Sequence, residues 1–228
     1  MTSKRRRGCL PRLLLFAAAA VAAVLLLSAV LLAALRFVDP STTTVQMQRH
    51  VEALLHGAEY RKRYSFVPLN RISADLQHAV IAAEDGRFYE HHGIDWKQVQ
   101  VVMEESRETG EVSRGASTIT QQLVKNLFFT THRNPLRKGA EYVLAPMADV
   151  ILGKRRVLEL YLNVVEWGDG VFGAESAARV YYGVPAARVG REQGARLAAC
   201  LPAPRRRKPA RMDRYSGQIL TRMRQMGW

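Results

Sequence analysis

Glu84 and Asp85 stand where the apolar run of residues 79–83 stops, and Phe88, His91, His92 and Asp95 follow closely. A carboxylate so placed could take a proton from a hydroxyl nucleophile, give one to a leaving group, or ligate a metal. His91 and His92 are adjacent and lack the i, i+4 spacing that presents two ligands from one helix face, which favours a structural or rim role over a metal site. A second dense stretch, GASTITQQLVKNLF at 115–128, gathers Ser117, Thr118, Thr120, Gln121 and Gln122 ahead of Lys125 and Asn126. Alone it reads equally well as a capped polar helix start or as a sugar- or phosphate-binding set. A third, RKGAE, sets Glu141 four residues after Arg137. As a surface pair that spacing is worth only about 0.2–0.5 kcal/mol.

These residues need elements to carry them. Ser73 is a natural N-cap for a helix whose Leu76, Ala79, Val80 and Ala83 share one face, and Gly86 is a natural stop. Glu84 and Asp85 then fall in the last turn, at the negative end of the helix dipole. A local rule broken without compensation marks a candidate functional site. Asn134 and Pro135 open a second helix, which Pro146 is expected to kink or interrupt. KRRVLELYLNVVEWG continues helically, with Val157, Leu158, Tyr161 and Leu162 as an apolar stripe, and short helices are expected over 174–182 and 191–201. A strand is expected around 64–68, and residues 38–47 read as an extended linker. The late run RRRKPAR reads as a solvated basic surface.

Residues 13–35 carry no charge and, as a helix, would be roughly 34 Å long, enough to cross a bilayer. Lys4, Arg5, Arg6, Arg7 and Arg12 precede them, so the positive-inside rule keeps the N-terminus cytoplasmic and exports the rest. The long apolar run without a clear small-x-small site favours an uncleaved anchor over a signal peptide. Cys9 and Cys200 lie on opposite sides of that anchor, so no disulfide framework or thiolate zinc site is available. Removing the five cations of residues 1–12 from the net charge of +14 leaves +9 on the remainder. Such a charge beside a membrane suits anionic headgroups or a phosphate-bearing substrate. Nucleic-acid motifs are absent.

AVIAAEDGRFYEHHGIDW, RGASTITQQLVKNLF, RKGAE, KRRVLELYLNVVEWGDGVFGAESAARVYYG and GARLAACLPAP occur in that order. Together they resemble the peptidoglycan glycosyltransferase family, and within it the monofunctional biosynthetic transglycosylases, over about residues 40–228. The resemblance implies a mainly α, lysozyme-like domain of two lobes behind a single transmembrane helix. The division is a basic tail at 1–12, an anchor at 13–35, a linker at 36–47 and a glycosyltransferase domain at 48–228. It implies polymerisation of lipid II into β-1,4-linked glycan with release of undecaprenyl pyrophosphate, at the bacterial inner membrane. No S-x-x-K or K-T-G motif accompanies it and the chain ends too soon for a transpeptidase domain, so crosslinking is not expected.

Residue by residue, the family's E-D-x-x-F pattern makes Glu84 the base, with Asp85 and Phe88 completing it. R-K-x-x-E makes Glu141 the second catalytic glutamate, beside the departing pyrophosphate. Ser117, Thr118, Gln121, Gln122, Lys125, Arg133, Arg137 and Lys138 are the implied substrate-binding set. A divalent cation, Mg or Mn, is the implied cofactor, held by Glu141 through the pyrophosphate, and no nucleotide cofactor is implied. The implied partners are lipid II, the growing lipid-linked glycan, the membrane, and proteins of wall synthesis or division; nucleic acid is not among them. Because pyrophosphate departs readily as an anion, cations are expected around the site in place of a hydrophobic pocket raising an acid's pKa. Glu159, Asn163 and Glu166 are expected to organise a turn. Asp149, Pro146, Gly153, Gly194 and Ala203 depart from the family pattern and put the rigidity of the Glu141 helix in question. A lytic enzyme on a similar fold and a non-catalytic scaffold are the competing readings.

Overall fold

A computed structural model describes residues 9–110, 115–132 and 134–228. The basic residues 4–7 and Arg133 lie outside the described residues. The fold is mainly α. Helix α1, Cys9–Leu35, holds the candidate membrane span Pro11–Leu35. Its shaft exposes Leu13, Phe16, Val24 and Leu27, whereas Leu32 is fully buried and Leu25 and Leu35 pack on the core. The junction is fastened by Arg156, which donates to the Leu35 carbonyl at 2.8 Å and the Asp39 carboxylate at 2.8 Å.

Helix α2 spans Thr44–Leu55, so the expected linker is extended only as far as Thr43. Thr43 caps it by accepting from the Gln46 amide, and burial of Val45 and Gln46 draws this segment into the domain. Helices α3 (Ala74–Glu84), α4 (Trp96–Thr109), α5 (Ile119–Phe128) and α6 (Pro135–Val164) follow, then α7 (Ala174–Tyr182), α8 (Arg191–Ala198) and α9 (Asp213–Gln225). Strands β1 (Arg63–Tyr64), β2 (Glu166–Gly168) and β3 (Val171–Phe172) form a small sheet in the order β1-β3-β2. β1 runs parallel and β2 antiparallel to β3. Asn163 clasps both the amide and the carbonyl of Val67 at 2.9 Å, Glu159 accepts from the Leu69 amide at 2.7 Å, and Glu166 pairs with Arg49 at 3.1 Å. These three polar residues join the end of α6 and the start of β2 to the chain before α3.

α5 packs along α6, and α3 packs on α8 and α9. The core between them holds Trp167, Tyr161, Phe88, Leu76 and Leu123, all fully buried. Gly194 lets α8 approach closely, since a β-carbon there would lie 3.1 Å from the Leu76 Cα.

The break expected at Pro146 falls instead at Gly153, whose φ of 74° and ψ of 156° are not helical. A proline removes one backbone donor but already has a helical φ, whereas Gly153 occupies a left-handed φ that side chains resist. The Pro146 turn has a different use: Gly93 seats against it so closely that a β-carbon would stand 2.6 Å from the Ala145 carbonyl. The loop after Asp85 is thereby laid directly on α6.

Candidate active site

Two helix ends meet to make the site. Ser73 caps α3 by accepting from the Leu76 amide, and the helix terminates at Glu84 with Asp85 turned out of helical geometry. α5 begins with a capping box, in which Thr118 Oγ1 accepts from the Gln121 amide and Gln121 Oε1 accepts from the Thr118 amide, each at 3.1 Å. Asp85 joins the two ends: its carboxylate accepts from the Ile119 amide at 3.0 Å, in the first turn of α5, and meets His91 Nε2 at 2.9 Å. The dipole penalty at the end of α3 is offset by this contact with the positive end of another helix. Asp85, His91 and Asp95 lie close enough together to suggest a cation site. Asp85 is already committed to Ile119 and His91, and Asp95 pairs with Arg87 and caps α4 through the Gln98 amide. His92 is 90% exposed at its side chain and reaches only to 3.8 Å from Asp149.

Asp85's grip leaves Glu84 at the wall of a cleft of about 540 Å³, shared with Asp85, Ser117, Thr118, Gln98, Tyr215 and Arg222. Glu84 Oε2 accepts from Gln122 Nε2 at 2.7 Å, and the Tyr161 hydroxyl donates to Gln122 Oε1 at 2.9 Å, fixing the amide's orientation. Burial pushes the Glu84 carboxyl above its ordinary range, with the Gln122 hydrogen bond and the Lys125 and Arg207 charges opposing and Asp85 assisting. The expectation of cations instead of a pKa-raising pocket is therefore corrected: both are present, and burial is the stronger.

A second carboxylate has the reverse surroundings. Glu141, 3% exposed on α6, accepts from Arg137 at 2.8 Å and Lys138 at 3.1 Å, and Lys138 also donates to Ser117 at 2.9 Å. Lys125 bridges the two regions electrostatically. Burial lowers its ammonium pKa, the field of Glu141 opposes this, and Glu84 opposes it more weakly.

Of the residues singled out from sequence, Glu84, Asp85, Ser117 and Thr118 line the cleft, Gln122 holds Glu84, and Arg137 and Lys138 hold Glu141. Phe88 and Gln121, expected at the substrate, are fully buried. Phe88 packs under Lys154, whose Nζ stands 4.6 Å from the ring centroid, and Gln121 caps α5 through Oε1 while its buried Nε2 has no hydrogen-bond partner among the described residues. Asp149 is likewise buried and pairs with Lys154 at 2.8 Å. Sequence reasoning missed Tyr161, counted as part of an apolar stripe, and Tyr215, Arg222 and Arg207, which follow the recognised segments. Tyr161's one sequence signal is a hydroxyl on an otherwise aliphatic face.

The transglycosylase family model matches residues 48–226, which takes in every residue of this site. The chain belongs to the transglycosylase family. Biosynthetic peptidoglycan transglycosylase of Bordetella pertussis is 48% identical over 171 residues, covering 73% of this chain and 71% of that protein. The proteins of the same name from Laribacter hongkongensis and a Janthinobacterium species are each 44% identical, covering 77% and 82% of this chain and 77% and 84% of their own lengths. At two positions whose residues put the rigidity of the Glu141 helix in question, Asp149 is paired with Lys154 at 2.8 Å, and Gly153 takes the break in α6.

Proposed function

We propose that this protein polymerises lipid II into β-1,4 glycan strands for the cell wall, with Glu84 as general base. The observation that carries the reading is Glu84 at the cleft wall, its carboxylate ordered by Gln122 and Tyr161 and left without an ion pair among the described residues. The acceptor's 4-hydroxyl attacks the donor's anomeric carbon and passes its proton to Glu84 as the bond to the pyrophosphate oxygen breaks. Attack opposite an α-linked pyrophosphate inverts that carbon. Lys125, Arg137 and Lys138 neutralise the leaving group, and the incoming phosphates favour the charged form of a lysine that burial disfavours.

Glu141 organises the two cations, and as a buried oxygen donor it is the acid that would hold a Mg or Mn ion, which would stabilise charge on the leaving group once the ion displaced Arg137 or Lys138 from one of its oxygens. The apolar helix serves as a single-pass anchor in the cytoplasmic membrane, N-terminus inside, with the domain exported and the chain active in glycan synthesis without transpeptidation.

The raised Glu84 carboxyl also suits an acid that cleaves existing glycan, so the test has two arms. Purified protein in detergent with divalent metal is expected to convert lipid II to polymer, and Glu84→Gln is expected to lose that activity by about 10²–10⁴-fold. Release of soluble muropeptides from preformed sacculi, without polymer from lipid II, reverses the assignment. Chelator and metal add-back then decide the cation requirement.

A further inference from the structure

The cleft that Glu84 lines takes one wall from the last helix. Tyr215, Arg222 and Gln225 of α9, with its C-cap Met226, line that wall at i, i+7, i+10 and i+11, a spacing that sets them along one stripe of a helix. The adjoining stripe, Ser216, Ile219 and Met223, is buried and fixes α9 on α3 and α8. Tyr215 is partly buried and braced by Arg207, whose Cζ lies 5.4 Å from the ring centroid and whose guanidinium donates to the Ala199 carbonyl at 2.9 Å. Among the described residues the cleft has two cations in its lining, Arg87 and Arg222. Arg87 is committed to Asp95, with Nε donating to the carboxylate at 3.0 Å. Arg222 is exposed and forms no ion pair among the described residues. An unpaired guanidinium beside an aromatic ring and the amides of Gln225 and Gln98 suits a sugar that bears an acidic peptide. The planar fork takes a carboxylate, the amides take peptide groups, and the ring takes an apolar face.

We propose that Arg222 binds a carboxylate of the peptide carried by the acceptor, and so turns the acceptor sugar's 4-hydroxyl toward Glu84 in the shared cleft. The inference rests on the lipid II reading above. Lipid II offers two kinds of anion, its diphosphate and the carboxylates of its peptide, and the placement of the cations separates them. Arg137 and Lys138 gather at Glu141 on α6. α6 is also the helix that the anchor joins: Arg156 donates to the Leu35 carbonyl at 2.8 Å, and Arg36 donates to the Ile151 carbonyl at 3.1 Å. A diphosphate is tied to its lipid and belongs beside that helix. α9 packs on α3 and α8, so its cation is left for the part of the substrate that extends into water. The cleft itself does not satisfy Arg222. Asp85 is held by Ile119 and His91, Asp95 by Arg87 and Gln98, and Glu84 by Gln122. The anion that completes this wall therefore arrives with the substrate.

Binding tests this apart from turnover. The full chain carrying Glu84→Gln is titrated in detergent with lipid II and with lipid II whose peptide carboxylates are amidated. Adding Arg222→Gln should weaken binding of lipid II about tenfold, the loss of one charge-assisted hydrogen bond at an exposed site. Amidation should cost the parent protein the same factor and should cost the Arg222→Gln protein nothing more. Arg222→Glu should weaken binding of unmodified lipid II further, by repulsion, while still binding the amidated form. Retained binding of the amidated substrate reports an intact site in both variants. In the chain with Glu84 restored, kcat/KM for polymerisation should fall by the same factor in Arg222→Gln. An equal loss for both substrates would assign Arg222 to the diphosphate and overturn the proposal, as would no loss for either. A wild type that makes no polymer while its binding still depends on Arg222 and the peptide carboxylates faults the polymerase reading and leaves the peptide site standing.

Discussion

Glu84 meets one neutral amide, Gln122 at 2.7 Å, whereas Glu141 is held by two cations, Arg137 at 2.8 Å and Lys138 at 3.1 Å. Both carboxylates come from helices; Glu141 is buried, whereas Glu84 is partly buried at the cleft wall. Their charged neighbours also differ. Burial raises the Glu84 carboxyl, so its ionised form is held at some expense and gains by taking a proton. Glu141 has a cation on each oxygen. On the function proposed above, one carboxylate reacts and the other organises charge, as two acids in different surroundings can.

The widest separation between them should appear in kinetics. Glu84→Gln removes the proton acceptor and should lower kcat by about 10²–10⁴-fold with substrate binding little changed. Glu141→Gln leaves Arg137 and Lys138 in place but loosely set, and should raise KM and the salt sensitivity of binding while lowering kcat less. Equal losses of kcat at the two positions would erase the distinction.

A smaller effect tests what orders Glu84. Gln122→Leu takes away the hydrogen bond that favours the ionised carboxylate, so the Glu84 pKa, already above its ordinary range, should rise further. Activity depends on the base form, so the acid limb of the pH–rate profile should move to higher pH, with about a tenfold loss measured on that limb. No displacement of the limb would mean that Gln122 contributes packing alone. Tyr161→Phe should move the limb in the same direction and less far, because it frees the amide without removing it.

Much of this contrast was legible in the residues, and the rest was hidden for identifiable reasons. Ser73, Asn134 and Pro135 act through local hydrogen bonds and fixed torsions, and they set the starts of α3 and α6 as expected. Phe88 and Gln121 sit inside recognised motifs, and motif membership does not say whether a side chain faces a ligand or holds the backbone. Their full burial answers that. The break at Gly153 competed with a proline that looks more disruptive, and which of two breakers yields depends on packing across α6. Arg207 was masked by its neighbours. Four cations in a row read as solvated surface, and only the turn after α8 shows that one of them faces inward.

The smallest expected effect is on stability, and it differs in sign between the two glutamates. Glu84's folded pKa is raised, so between its ordinary value and that raised value the folded protein binds more protons than the unfolded chain. Stability therefore falls as pH rises through that window and stays lower above it. Glu84→Gln removes the titration, and at neutral pH it should stabilise the protein by about 1 kcal/mol, or about 2–4 °C in Tm. The gain should shrink as pH is lowered through the same window. Glu141→Gln takes the counter-charge from Arg137 and Lys138 and should destabilise by about 1–3 kcal/mol. Thermal melts of both variants across pH measure the pair directly. Glu84→Gln melting below wild type at neutral pH would mean that the ionised carboxylate is a structural asset, and the division of labour between the two acids would have to be redrawn.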